Sequence, residues 1–99
     1  MQTVRVFAFA AATLAATTAS AWSADPPPGA ASCSGCHPAT QGVATPVPRL
    51  NGRDATQIVT AMTEFRSGKR PTTIMDRIAK GFTDDETQAI AAWLAAQKD

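Results

Sequence analysis

The only histidine of the chain, His37, directly follows its only two cysteines in the run Cys33-Ser34-Gly35-Cys36-His37. Two thiols separated by two residues can each bond a vinyl-derived carbon on one edge of a haem while the adjacent imidazole reaches the iron. The run is the covalent attachment signature of c-type haem. Other readings of a Cys-x-x-Cys pair each demand something more. A zinc site takes about four ligands, commonly Cys and His, and here that supply stops at three within one turn. A thioredoxin-like redox pair needs a βαβ context, which the short proline-rich stretch before Cys33 does not provide. A plain disulfide closing so small a loop would add only about 2 kcal/mol in the chain-entropy model.

With His37 as the proximal ligand, the other face of the iron has few candidates. There is no second histidine and no tyrosine, and Met1 leaves with the N-terminal leader, so the thioethers of Met62 and Met75 remain. Met62 lies in the middle of a helical apolar stripe, where a methionine usually packs. Met75 lies between Pro71 and Gly81, where loop and short helix can bend a sulfur toward iron, and it is the preferred ligand. A His37/Met75 pair closes the iron at six ligands, favours Fe(II), and leaves no position for oxygen or substrate, so the chemistry reduces to moving one electron. A loop carbonyl near Pro46 or Pro48 is placed to accept the other ring N–H of His37, fixing its orientation, although both prolines can equally serve as turn formers.

The segment from Arg66 to Lys80 carries Arg66, Lys69, Arg70, Arg77 and Lys80 against Asp76 alone, a local net charge of +4. It reads as a solvated face, as a source of cations for the haem propionates with Arg70 the leading candidate, or as a docking patch for an acidic partner surface.

The elements that must position these groups begin after a leader. Arg5, the apolar run from Val6 to Ala16 and the small-x-small site Ala19-Ser20-Ala21 read as a secretory signal over residues 1–21, with the mature chain starting at Trp22. The apolar run falls short of the roughly 20 residues of a membrane span. The expectation is export to the periplasm, one domain over residues 22–99, and no membrane span in the mature chain. Formal net charge is +1, and without Arg5 the remaining basic and acidic residues balance at eight each, which points to neither nucleic acid nor an anionic membrane surface. A domain this small is near the limit at which a core stabilises itself, and a haem would act as its staple.

The mature chain reads as all-α, three to four short helices and loops, with no strand. Pro26, Pro27 and Pro28 make an extended lead-in, a helical turn from about Ala30 carries the cysteines, and Pro38 ends it at His37. Residues 39–51 form a loop in which Val43, Val47 and Leu50 are candidates to lie against a haem face. A helix over about 54–67 presents Ala55, Ile58, Val59, Met62 and Phe65 on one stripe and stops at Gly68. Thr73 with Asp76 resembles a capping box for a short helix holding Ile74, Met75 and Ile78. Thr83 with Glu86 forms another for a last helix over about 84–97, which buries Ile90, Trp93 and Leu94 and ends near Lys98.

These features together resemble the single-haem class I c-type cytochromes. The likeness runs from Cys33-Ser34-Gly35-Cys36-His37 through Pro48-Arg49-Leu50-Asn51-Gly52 to a methionine-bearing segment before an aromatic-containing last helix. The stretches from Phe65 to Pro71 and from Met75 to Phe82 are similar to the haem domains of flavocytochrome c sulfide dehydrogenase and related small cytochromes. The resemblance implies the small class I cytochrome c fold around one covalent haem c, Met75 as distal ligand, and Pro48 as the proline whose carbonyl holds the proximal histidine. It also implies redox protein partners. Since the chain has no flavin-binding glycine motif, sulfide chemistry would belong to a separate flavoprotein subunit. A free-standing electron shuttle and a haem sensor with an open distal site are the competing expectations, and a haem-free disulfide protein is the third class.

Overall fold

The computed structural model of the chain describes residues 25–97; the expected signal segment, Trp22 and Lys98 lie outside them. Four helices form, α1 Ala30–Ser34, α2 Ala55–Ser67, α3 Met75–Ala79 and α4 Asp84–Ala96, and there is no strand among the described residues. Each helix start and stop has a local cause. The proline run hands over to α1 through Gly29, whose φ of 87° turns the chain so that the Ala30 N–H donates to the Pro27 carbonyl at 3.1 Å. One further helical bond, from the His37 N–H to the Cys33 carbonyl at 2.9 Å, carries the turn to the histidine and stops before Pro38.

In α2 the Asp54 carboxylate caps the start by accepting from the Gln57 N–H at 3.1 Å. Gly68, at a φ of 78°, ends the helix, and the Lys69 N–H folds back to the Glu64 carbonyl at 2.9 Å. The capping box of α4 forms as expected: Thr83 Oγ1 accepts from the Glu86 N–H at 3.2 Å and Glu86 Oε2 from the Thr83 N–H at 3.3 Å. Asp84, Asp85 and Glu86 place negative charge on the positive end of the helix. The capping box expected at Thr73 does not form. The backbone is still non-helical at Ile74, with φ −138°, so α3 starts a residue too late for Thr73 to reach, and Ile74 takes the cap position without a side-chain bond.

α2 packs on both α3 and α4. Ile58, Ile90, Ala91 and Leu94 form the core together with Ala30, the one buried residue of α1. Ala30 and Ala91 are both fully buried, so α1 and α4 each place a methyl-sized side chain in the core. Trp93 is half-buried at the edge of this cluster. The loop after the histidine is tied to the far end of the molecule, since the Gly52 N–H donates to the Leu94 carbonyl at 2.9 Å and so satisfies an end carbonyl of α4.

Arg66, at the end of α2, joins three pieces of chain. Its guanidinium pairs with Asp84 Oδ1 at 2.5 Å and donates to the Phe82 carbonyl at 2.8 Å and, more weakly, to the Ala79 carbonyl at 3.4 Å. One side chain thus closes the C-terminal end of α3 and the turn into α4.

Candidate functional site

Core residues and partly buried apolar residues together line a cavity of about 750 Å³. That is within the range of sites for sizeable organic ligands, roughly 300–1,000 Å³. Cys33, Cys36 and His37 line it from the first helical turn, Pro46, Val47, Pro48 and Leu50 from the following loop, and Ile58, Met62 and Phe65 from α2. The segment from Pro71 through Met75 to Ile78 contributes the next stretch, and Thr87, Ile90 and Leu94 of α4 complete it. Of the loop residues expected against a haem face, Val47 and Leu50 are there, whereas Val43 is 51% exposed and outside the lining.

His37 is oriented by its ring nitrogen Nδ1, which lies 2.5 Å from the Pro48 carbonyl oxygen. A carbonyl can only accept, so Nδ1 carries the proton and Nε2 keeps its lone pair, the form in which an imidazole binds a metal. The loop that presents this carbonyl is itself braced: Arg49 Nε donates to the Ala39 carbonyl at 2.7 Å, drawing the residue after Pro48 to the residue after Pro38. Of the two prolines considered from the sequence, Pro48 supplies the acceptor.

No disulfide joins the two cysteines; Cys33 is half-buried against the core and Cys36 is exposed. Burial pushes the Cys33 thiol above its ordinary value, against the smaller opposing effects of a hydrogen bond with Ser32 and one with backbone.

Met75 and Met62 both line the cavity, the first opening α3 and the second in mid-α2, and both are half-buried. Arg70 is directed elsewhere. Its guanidinium bonds Glu64 Oε2, at 2.8 Å from Nε and 2.7 Å from the terminal nitrogen, and sits 5.6 Å from the centroid of the Phe65 ring. It lines a separate small polar recess with Arg53 and Gln57 rather than the apolar cavity. With Arg66 and Arg70 paired, Lys69, Arg77 and Lys80 are the exposed cations of this segment that have no acidic partner among the described residues.

Two contributors escaped the sequence reading. Arg49 was visible only as the middle of Pro-Arg-Leu, and its brace on Ala39 depends on how the loop closes. Thr87 was not singled out in the sequence, yet it is 5% exposed, and its Oγ1 is buried without a hydrogen-bond partner. Two cysteines beside an oriented imidazole, thioether sulfur and a mostly apolar wall that also holds Ser32, Thr72 and Thr73 make a donor set that fits a covalently held haem.

No protein-family model matches the chain. Over 62 residues it is 37% identical to the cytochrome subunit of sulfide dehydrogenase of Chlorobaculum tepidum, a match covering 63% of this chain and 56% of that protein. It is 38% identical over 73 residues to the thiosulfate dehydrogenase electron acceptor of Thiomonas intermedia, covering 70% of this chain and 34% of the relative. With cytochrome c4 of Pseudomonas aeruginosa it shares 36% identity over 72 residues, 67% of this chain and 36% of that one. The chain belongs to the small class I c-type cytochromes. It spans between about a third and just over half the length of these relatives.

As a class I cytochrome it carries haem c, covalently bound and iron-containing, which supplies a metal centre that gains and loses one electron. In this cytochrome the Pro48 carbonyl orients the His37 ring, and α2 and α4 supply much of the apolar wall of the cavity. Among the described residues of the cytochrome, no helix is long and apolar enough to cross a membrane.

Proposed function

We propose that this cytochrome is a periplasmic one-electron carrier in which Cys33 and Cys36 hold the haem and His37 and Met75 ligate its iron. In this reading it serves as the haem subunit or redox partner of a flavoprotein sulfide dehydrogenase. The observation that carries the reading is the His37 Nδ1 to Pro48 carbonyl bond inside a cavity that also receives Met75. An imidazole held in its metal-binding form and a thioether on one apolar chamber favour closed ligation over an open catalytic iron. The sulfide dehydrogenase assignment rests on the Chlorobaculum tepidum relative.

The ligand set is tested by spectroscopy of the holoprotein beside Met75→Ala. Loss of the ferric sulfur-to-iron band is expected; an unchanged spectrum would move the ligand to Met62. Rapid carbon monoxide binding to the unmutated ferrous protein would instead indicate an open iron. The complex is tested by purification from the native source, where a stable flavin-containing partner is expected.

A free soluble shuttle is the second reading, favoured by relatives named as electron acceptors of thiosulfate dehydrogenase. A cytochrome that elutes alone and is reduced by a separately purified dehydrogenase would establish it.

A further inference from the structure

We propose that Arg66 is a positioning residue for the distal side of the site: its guanidinium clasps the far end of α3 and so keeps Met75 at the iron. The inference rests on the reading of Met75 as ligand given above. The chain that leads to Met75 is weakly fastened by the protein itself. All eight residues from Ser67 to Ile74 are exposed, and none belongs to the core or packs against it. Beyond the turn at Gly68 and the Arg70–Glu64 pair, no hydrogen bond among the described residues holds Pro71, Thr72 or Thr73. α3 then starts after Ile74 without a side-chain cap and runs for only five residues, too few to persist as a helix on its own.

The fastenings lie at the other end. Ala79, one helical turn after Met75, is fully buried. Arg66 reaches from α2 to that end: one terminal nitrogen donates to the Phe82 carbonyl at 2.8 Å and Nε to the Ala79 carbonyl at 3.4 Å, while the other terminal nitrogen meets Asp84 Oδ1 at 2.5 Å. A single planar fork thus holds the end of α3, the turn that follows and the start of α4, which the point charge of an ammonium cannot do. The end carbonyls of a helix lack partners within it and carry partial negative charge, so a cation is favourable there. The ring of Phe82 lines the same cavity as Met75, so the clasp fixes two pieces of its wall. Without Arg66, α3 keeps only its packing on α2, and Met75 leaves the iron while α2 and α4 stay folded.

The test compares the guanidinium dependence of the ferric sulfur-to-iron band with that of helical circular dichroism in the Arg66→Ala holoprotein, beside the unmutated protein, Asp54→Ala and Asp84→Asn. R66A is expected to lose the band well before it loses helix, with a wider gap between the two midpoints than in the unmutated protein. Its ferrous form should bind carbon monoxide at least about tenfold faster, the factor that a charged hydrogen bond is worth. D54A removes the cap at the opposite end of α2 and weakens the fold as a whole, so its two midpoints should fall together. D84N keeps both carbonyl bonds and should resemble the unmutated protein. Arg66→Lys, with one donor in place of the fork, should fall between, and it carries the test if R66A fails to fold. Band and helix lost together at an unchanged carbon monoxide rate would mark Arg66 as a structural clamp only and overturn the proposal, as would an equal widening of the gap in D54A. Absence of the band from the unmutated protein, or its survival in Met75→Ala, would refute the ligand reading and this inference with it, whereas a band that needs Met75 but not Arg66 refutes the inference alone.

Discussion

Replacing Gly29 with alanine tests whether the turn that carries the cysteines is registered against the segment that enters the last helix. Gly29 has a φ of 87°, and a Cβ built on it lies 2.6 Å from Cε1 of Phe82. Two penalties combine. A side chain in the left-handed region costs about 1–2 kcal/mol. The methyl must also displace the Phe82 ring, which packs on the core and lines the cavity, and overpacking of this kind costs typically about 1–3 kcal/mol. Gly29→Ala should therefore lose roughly 2–5 kcal/mol. Gly68 is the internal control, with a φ of 78° and nothing within 4 Å of its Cβ position, so Gly68→Ala should lose only about 1–2 kcal/mol. Guanidinium unfolding of the oxidised holoproteins, followed by helical circular dichroism, gives both values if the slopes agree. In a domain of this size each kcal/mol also moves the melting temperature by roughly 4–8 °C. Trimming the ring with Phe82→Leu in the Gly29→Ala background should recover part of the difference, because touching residues couple by about 0.5–3 kcal/mol. Equal losses at Gly29 and Gly68, or no coupling to Phe82, would refute the registration of α1 against that ring.

Three further outcomes are expected. Arg66→Ala should cost about 1.5–3 kcal/mol, mainly through the charged donor to the Phe82 carbonyl, whereas Asp84→Asn should cost well under that because Asp84 is 79% exposed; equal losses in denaturant melts would assign the effect to the ion pair. Arg70→Ala should cost no more than about 1 kcal/mol, since both partners of its ion pair are more than a third exposed, and should leave the midpoint potential unchanged; a shifted potential would return Arg70 to the propionates. Electron transfer with an acidic partner should slow as salt rises past 0.1 M, where the screening length is about 10 Å, and neutralising Lys69, Arg77 and Lys80 together should flatten that dependence.

Local signals carried most of the fold. Asp54, Gly68 and the Thr83–Glu86 pair act within a few residues of where they stand, so the bounds of α2 and α4 could be read before any packing was known. The same logic failed at Thr73, because Ile74 stays non-helical, with φ −138°, and shifts the helix start by one residue. At the site, the Cys33 to His37 run stood out because its spacing is that of an attachment signature, and Pro48 because the resemblance singled out its carbonyl, which His37 Nδ1 meets. Arg70 was not, since its partner Glu64 stands six positions earlier, outside the usual helical pair spacing, and meets it only after the chain turns at Gly68. Thr87 was hidden for another reason: nothing in a pattern of polar and apolar letters distinguishes a hydroxyl facing water from one buried inside the fold.

The mouth of the cavity has its own consequence. Pro46, Pro48 and Pro71 all line the cavity and are all exposed, alongside Ile74 at 56% exposure. Proline has no N–H, so at three positions of the rim the backbone offers a visitor nothing to bond by donation. An incoming protein cannot add a strand to such an edge, and must rest on methyl and ring surface steered by distant charge. A donor-poor rim thus puts recognition of a partner on side-chain surface rather than on backbone hydrogen bonds.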